Sequence, residues 1–169
     1  VPVITASGVF AASAGAYSRP GHAAPRASTS QAAPAGPAEI EQALLDEMNR
    51  VRARNGRRPL ASIGTLKRPA RSHSRYLLRQ GILTHDGPGG APFWQRLVDA
   101  GYPEDRYMAE NLAEVPGCDV GIARETVRLW MNSPGHRANL LNRRYRFAGP
   151  GVASAGDCSD TILTADFGS

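Results

Sequence analysis

A helix that stops and restarts within a few residues fixes the path of a chain tightly. Trp130-Met131-Asn132-Ser133-Pro134-Gly135-His136-Arg137-Ala138-Asn139-Leu140-Leu141-Asn142 reads as such a junction. Ser133 suits the N-cap, where its hydroxyl would accept a free backbone N–H, and Pro134 suits the first helical position, which has no use for the donor proline lacks. His136 then falls in the first turn, where the partial positive charge of the helix end disfavours imidazolium. Its ring is expected to be neutral near pH 7, able to bind a metal or take up a proton. A lone histidine in a capped turn is more often a surface residue, so a functional reading needs partners from elsewhere in the chain.

A second boundary separates a tail from a domain. Residues 1–37 contain no acidic side chain, few large apolar groups and many Ala, Ser, Gly and Pro, whereas amphipathic periodicity begins at Ala38. Residues 1–37 therefore read as a leader and linker, and 38–169 as one domain with a single core. Val1 to Tyr17 is moderately apolar, lacks a basic start and carries Ala12-Ser13-Ala14 and Ala14-Gly15-Ala16. It reads as a poor or truncated signal peptide, with a disordered leader as the alternative. No later stretch approaches the roughly 20 apolar residues that span a bilayer, so a secreted, extracellular monomer is expected.

Cys118 and Cys158 lie in Gly-, Asp- and Ser-rich surroundings, outside any CxxC pair. A disulfide is their simplest use; it would stabilise the fold by about 4 kcal/mol through chain entropy and also points outside the cytoplasm. Two free thiols in a reduced compartment are the alternative. The net charge of +5 leaves only +3 once Arg19 and Arg26 of the tail are set aside. So small an excess, without interleaved aromatic residues, does not point to nucleic acid and would serve acidic wall polymer or anionic lipid equally.

From Ala38 to Asn55, Ile40, Leu44, Met48 and Val51 recur at helical spacing, with Glu41, Asp46, Glu47, Arg50 and Arg54 on other faces. Gly56 suits the left-handed terminus and Pro59 the stop. A second helix is expected from about Thr65 to Gln80, with Leu66, Ala70, His73 and Leu77 on one stripe; Pro69 calls for a later start or a kink. His73 reads as a core histidine satisfied by a neighbour. His85 follows in a Gly/Pro-rich loop, uncommitted to packing. Pro92 to Ala100 reads as a short helix with Phe93, Leu97 and Val98 inward.

Tyr107 to Val115 alternates as a strand, placing Glu110 and Leu112 on one face. Either a carboxylate enters the interior, where it needs a partner, or Leu112 faces out. Asp119 suits the N-cap of a helix running to Asn132, with Ile122, Thr126, Leu129 and Trp130 inward. Phe147 to Ser154 and Thr161 to Phe167 read as a hairpin, and Pro150 marks an edge or a bulge. Helices flanking a small antiparallel sheet make an α+β layered domain.

No HExxH, GxSxG, GxxxxGK[ST] or paired CxxC occurs, so zincins, nucleophile-elbow hydrolases, P-loop enzymes and zinc ribbons lose their usual signals. What remains is His85, His136 and Glu110, each at the edge of a different element. Two imidazoles with a carboxylate can hold Zn²⁺ with open positions or serve acid/base roles. Spacing alone does not bring them together.

The motifs Asn49-Arg50-x-Arg52, Ala70-x-x-His73-Ser74, Thr84-His85, Gly101-Tyr102, Ala109-Glu110-Asn111-Leu112-Ala113, Ser133-Pro134-Gly135-His136-Arg137-Ala138-Asn139-Leu140-Leu141-Asn142 and Ala165-Asp166-Phe167-Gly168 resemble, in order, those of the CAP superfamily (cysteine-rich secretory proteins, antigen 5, pathogenesis-related 1) in its bacterial SCP-like form. The resemblance implies a three-layer α-β-α sandwich and a cleft of two histidines and two glutamates. Here these map to His85, His136 and Glu110, with Asn111 beside them. Ser133 stands where the second glutamate is expected, and Glu125 is not its replacement. Ala109, Pro150 and Ala165 also depart from the family pattern.

The family is associated with metal, lipid or sterol binding and extracellular signalling. For this chain the leading expectation is a non-enzymatic secreted module binding Zn²⁺ or another divalent cation through His85, His136 and Glu110. The alternatives are an extracellular hydrolase of peptide or cell-wall polymer and a lipid- or sterol-binding module.

Overall fold

Two glycines at alternate positions of one strand set how closely the layers stack. In the computed structural model, which describes residues 33–169, a Cβ added at Gly149 would lie 2.1 Å from the Leu66 carbonyl carbon, and one at Gly151 2.2 Å from the Arg71 amide nitrogen. A helix backbone thus rests directly on the strand, an approach that glycine alone permits.

In chain order the elements are α1 (Pro37–Arg54), β1 (Ala61–Ser62), α2 (Gly64–Gln80), α3 (Phe93–Asp99), β2 (Met108–Val115), α4 (Ile122–Asn132), α5 (Pro134–Leu140), β3 (Phe147–Ser154) and β4 (Thr161–Gly168), with a 3-10 turn at Pro88–Gly90. The strands lie in the order β1-β3-β4-β2. The β3–β4 and β4–β2 pairs are antiparallel, and β1 pairs in parallel with β3 through two residues. The sheet is therefore mixed, where the sequence predicted an antiparallel one; both residues of β1 are exposed and too few to alternate. Because β1 reaches only Phe147 and Ala148, β3 has no outer neighbour at Pro150, the edge position proline requires.

One face of the sheet carries α2 and the other α1 and α4, so the layers form an α-β-α sandwich. Against α1 and α4 lie Ala113, Val152, Leu163 and Phe167, packed with Ile40, Leu44, Met48 and Trp130 in one apolar core. The Trp130 indole donates to the Leu112 carbonyl at 2.9 Å, so this large ring is buried with its N–H satisfied. On the α2 face, Ser74 donates to the Gly151 carbonyl at 3.0 Å and lies 2.8 Å from the Thr164 hydroxyl.

Several local expectations are corrected. The helix α2 begins at Gly64 and runs through Pro69. Asp119 accepts from the Gly121 amide at 2.6 Å in the turn before α4, whose N-cap is Gly121, and Leu129 is exposed while Ala123 and Val127 are buried. Glu41 faces inward, fully buried, and takes a two-pronged bond from Arg71 at 2.7 and 2.6 Å with Lys67 at 3.1 Å. Burial of a carboxylate needs such a partner, and here it ties α1 to α2.

Cys118 and Cys158 form a disulfide with Cα atoms 5.2 Å apart, joining the approach to α4 to the β3–β4 loop. None of the described helices is long and apolar enough to cross a membrane. The leader and cleavage signal expected before residue 33 lie outside the described residues.

Candidate functional site

Side chains of successive strand residues point to opposite faces, and β2 is an outer strand of the sheet. The neighbours Glu110 and Asn111 therefore hold separate structures on the two sides of one edge.

On the α2 side Glu110 is 3% exposed. Its Oε1 accepts the Nδ1–H of His85 at 2.8 Å, and its Oε2 pairs with Arg96 of α3. The same guanidinium donates to the His85 carbonyl at 2.7 Å, so Arg96 fixes both the histidine and the acid that orients it. His73, on α2, donates Nε2–H to the Thr84 carbonyl at 2.9 Å and so anchors the residue before His85. The carbonyl can only accept, which settles the His73 tautomer and leaves Nδ1 buried without a partner. Burial is the main cause holding His73 below the ordinary histidine value, with Glu110 opposing it.

On the other side Asn111 is wholly buried. Its Nδ2 donates to the His136 carbonyl at 3.0 Å, and its Oδ1 accepts from Asn139 at 3.0 Å, so it works inside the wall of the site rather than at its surface. The far end of α5 is held by Arg52, itself 1% exposed. Its guanidinium donates to the carbonyls of Leu140 at 2.7 Å, Arg58 at 2.9 Å, Asn142 at 3.1 Å and Tyr145 at 3.3 Å. These bonds replace water on carbonyls that a helix end leaves free. Burial, then the charge of Arg57, lowers the Arg52 pKa. With both ends clamped, α5 presents His136 at its third residue.

Ser133 occupies the α5 N-cap, but its hydroxyl makes no capping bond, contrary to expectation. His136 does lie below the ordinary histidine value; burial is the larger cause and the neighbouring His85 the second, where the sequence pointed to the helix end. Glu125 is exposed and bonded to Arg128, away from this arrangement.

Arg96 and Asp166 escaped the sequence reading as site residues. Asp166 lies opposite Glu110 in the β2–β4 register. It is fully buried, and neither carboxyl oxygen meets a donor. Burial first, then the Glu110 charge, pushes its pKa well above the ordinary carboxylate range. An acid amid the buried positions of β4 was a usable signal of the same kind as Glu110. For Arg96, on a two-turn helix of mixed character, no such signal existed.

With both oxygens engaged, Glu110 orients His85 and leaves its Nε2 as the free nitrogen. Among the described residues, no three His, Cys, Asp or Glu side chains gather into a metal-holding group. The arrangement offers two histidines, one of them braced by a carboxylate.

The sequence profile described as CAP, cysteine-rich secretory protein family, matches residues 45–167. The chain is 29% identical over 135 residues to the Bacillus subtilis protein YkwD, covering 79% of this chain and 50% of the relative. It thus spans about half the length of that curated relative. An extracellular protein containing an SCP domain from Bacillus anthracis is similar in structure, with TM-score 0.64 and 26% identity over 78% of this chain and 40% of that one. An outer surface protein from Borrelia burgdorferi shares the fold at TM-score 0.68 and 24% identity, over 82% of this chain and 98% of its own.

Proposed function

This chain belongs to the CAP, or cysteine-rich secretory protein, family, and from that premise we propose that it is an extracellular, non-enzymatic module whose cleft holds a divalent cation between His85 and His136. The observation that carries this reading is the Glu110 carboxylate on the His85 Nδ1–H at 2.8 Å. A carboxylate bonded to one ring nitrogen orients a metal-binding histidine and raises the basicity of the other. The low basicity of buried His136 keeps it deprotonated, as a ligand must be. Neutral imidazoles suit Zn²⁺, Cu²⁺ or Ni²⁺. A cation bound by these two rings would supply open coordination positions for an oxygen- or nitrogen-bearing extracellular ligand. The extracellular setting is supported by the SCP-domain relative described as an extracellular protein and by the disulfide.

Calorimetric titration of the full chain with Zn²⁺ at pH 7 tests the proposal. Uptake should approach one ion per chain and disappear in His136→Ala, a variant expected to fold because the ring makes no hydrogen bond to protein. Glu110→Gln should weaken uptake by about 10- to 100-fold, the usual effect of removing an orienting partner. Equal Zn²⁺ uptake by wild type, His85→Ala and His136→Ala would overturn it.

A further inference from the structure

Near the start of α2, a cavity of about 800 Å³ opens between the first turn of that helix, the loop entering β2 and the start of β3. It shares no residue with the histidine cleft. Thr65, on its wall, precedes His73 by eight residues, about 12 Å along the helix axis. The volume lies within the range of small-molecule sites.

Its lining divides into two kinds of group. Ile63, Tyr102 and Phe147 supply an apolar floor, and Arg106, Arg144 and Arg146 supply three guanidinium groups. The Arg144 guanidinium lies 4.4 Å from the centroid of the Tyr107 ring, a stack that limits its freedom before any ligand arrives. Among the described residues neither Arg144 nor Arg146 has a carboxylate partner, and Arg106 has only the exposed Asp105, at 3.7 Å. Three cations line one cavity whose described lining has no Asp or Glu side chain; they repel one another, and an anion seated among them relieves that repulsion. A single carboxylate would balance one of the three. A phosphate dianion balances two and offers three oxygens to planar forks built for such contacts.

We infer that this cavity is a binding site for an organic phosphate, with the phosphate held by Arg106, Arg144 and Arg146 and the attached apolar group resting on Ile63, Tyr102 and Phe147. The site does not depend on a cation at His85 and His136. Its phosphate can belong to a soluble ester or to a lipid headgroup.

The test titrates the full chain with phenyl phosphate, with inorganic phosphate, and with phosphatidylcholine vesicles with and without phosphatidic acid. The Arg144→Gln/Arg146→Gln double variant is compared with Arg124→Gln, which removes a charge from exposed α4 surface. Saturable binding of phenyl phosphate that exceeds inorganic phosphate by about tenfold, falls by about tenfold or more in the double variant and survives in Arg124→Gln supports the inference with a soluble ester as ligand. Binding confined to the phosphatidic acid vesicles, lost in the double variant and kept in Arg124→Gln, supports it with a lipid phosphate. Equal weakening by Arg124→Gln and the double variant, equal binding of inorganic and phenyl phosphate, or no saturable binding in any arm overturns it.

Discussion

Toward α1 and α4 the sheet presents Ala113, Val152, Leu163 and Phe167; toward α2 it presents Gly149, Gly151, Thr164, Asp166 and Glu110. The first face is held by apolar area, which scales with the groups buried and tolerates modest changes of shape. The second is held by backbone contact and paired polar groups, so it tolerates neither added volume nor an unpaired charge. The site chemistry follows from that division. Glu110 and His85 are held in place there by Arg96, which pairs with the carboxylate and donates to the His85 carbonyl.

The contrast predicts opposite sensitivities at two adjacent residues of β3 changed to the same alanine. Gly151→Ala should be the more damaging, by roughly 4 kcal/mol or more, because its new Cβ would meet helix backbone 2.2 Å away and backbone cannot step aside as a side-chain tip can. For a domain of this size the melting temperature should fall by more than about 10 °C. Val152→Ala, buried on the apolar face, should cost about 2 kcal/mol, the loss of two methyl groups with partial collapse of the space left. Thermal melts of the two variants decide the matter; Gly151→Ala melting at or above Val152→Ala would break the comparison.

The apolar face was legible in the sequence and the polar face was not. Helical spacing announced Ile40, Leu44 and Met48, and strand alternation announced β2, because both follow from local periodicity. Glu41 carries no such mark. On a helical wheel it is one more charged residue, and its burial depends on Arg71 and Lys67, which come from a different helix. The same holds at the site. Alternation left Glu110 either inward with a partner or paired with an outward Leu112, and Arg96 is brought to it by the path of α3, while the clamping of α5 by Arg52 and Asn111 joins residues far apart in the chain. Pairings of that kind are properties of the fold, and family motifs, rather than spacing, brought His85 and His136 into one expectation.

The smallest effect sharpens the comparison most, because it has the opposite sign. Asp166→Asn should stabilise the protein at neutral pH by about 1 kcal/mol, whereas removing a polar group from a satisfied network ordinarily destabilises. Asp166 is fully buried, and burial and Glu110 raise its pKa well above 3.8. A carboxyl whose folded pKa exceeds its unfolded value contributes stability that is complete below the unfolded value and is lost as pH rises through the folded one. At pH 7 the unfolded chain ionises this acid freely, while the folded chain must keep its proton or bury a second charge beside Glu110. An asparagine occupies nearly the same volume, keeps a donor to face Glu110 and has no proton to lose. The stability difference between variant and wild type, measured by urea unfolding, should therefore be small below pH 4 and grow steadily toward pH 8. Comparing the two proteins at each pH cancels the titration of groups they share, except for Glu110 itself, whose coupling to Asp166 is part of what is being measured. A difference that stays flat across this range would mean that Asp166 is ionised and compensated, and the polar face would then be held by one more charge pair than its neighbours can satisfy.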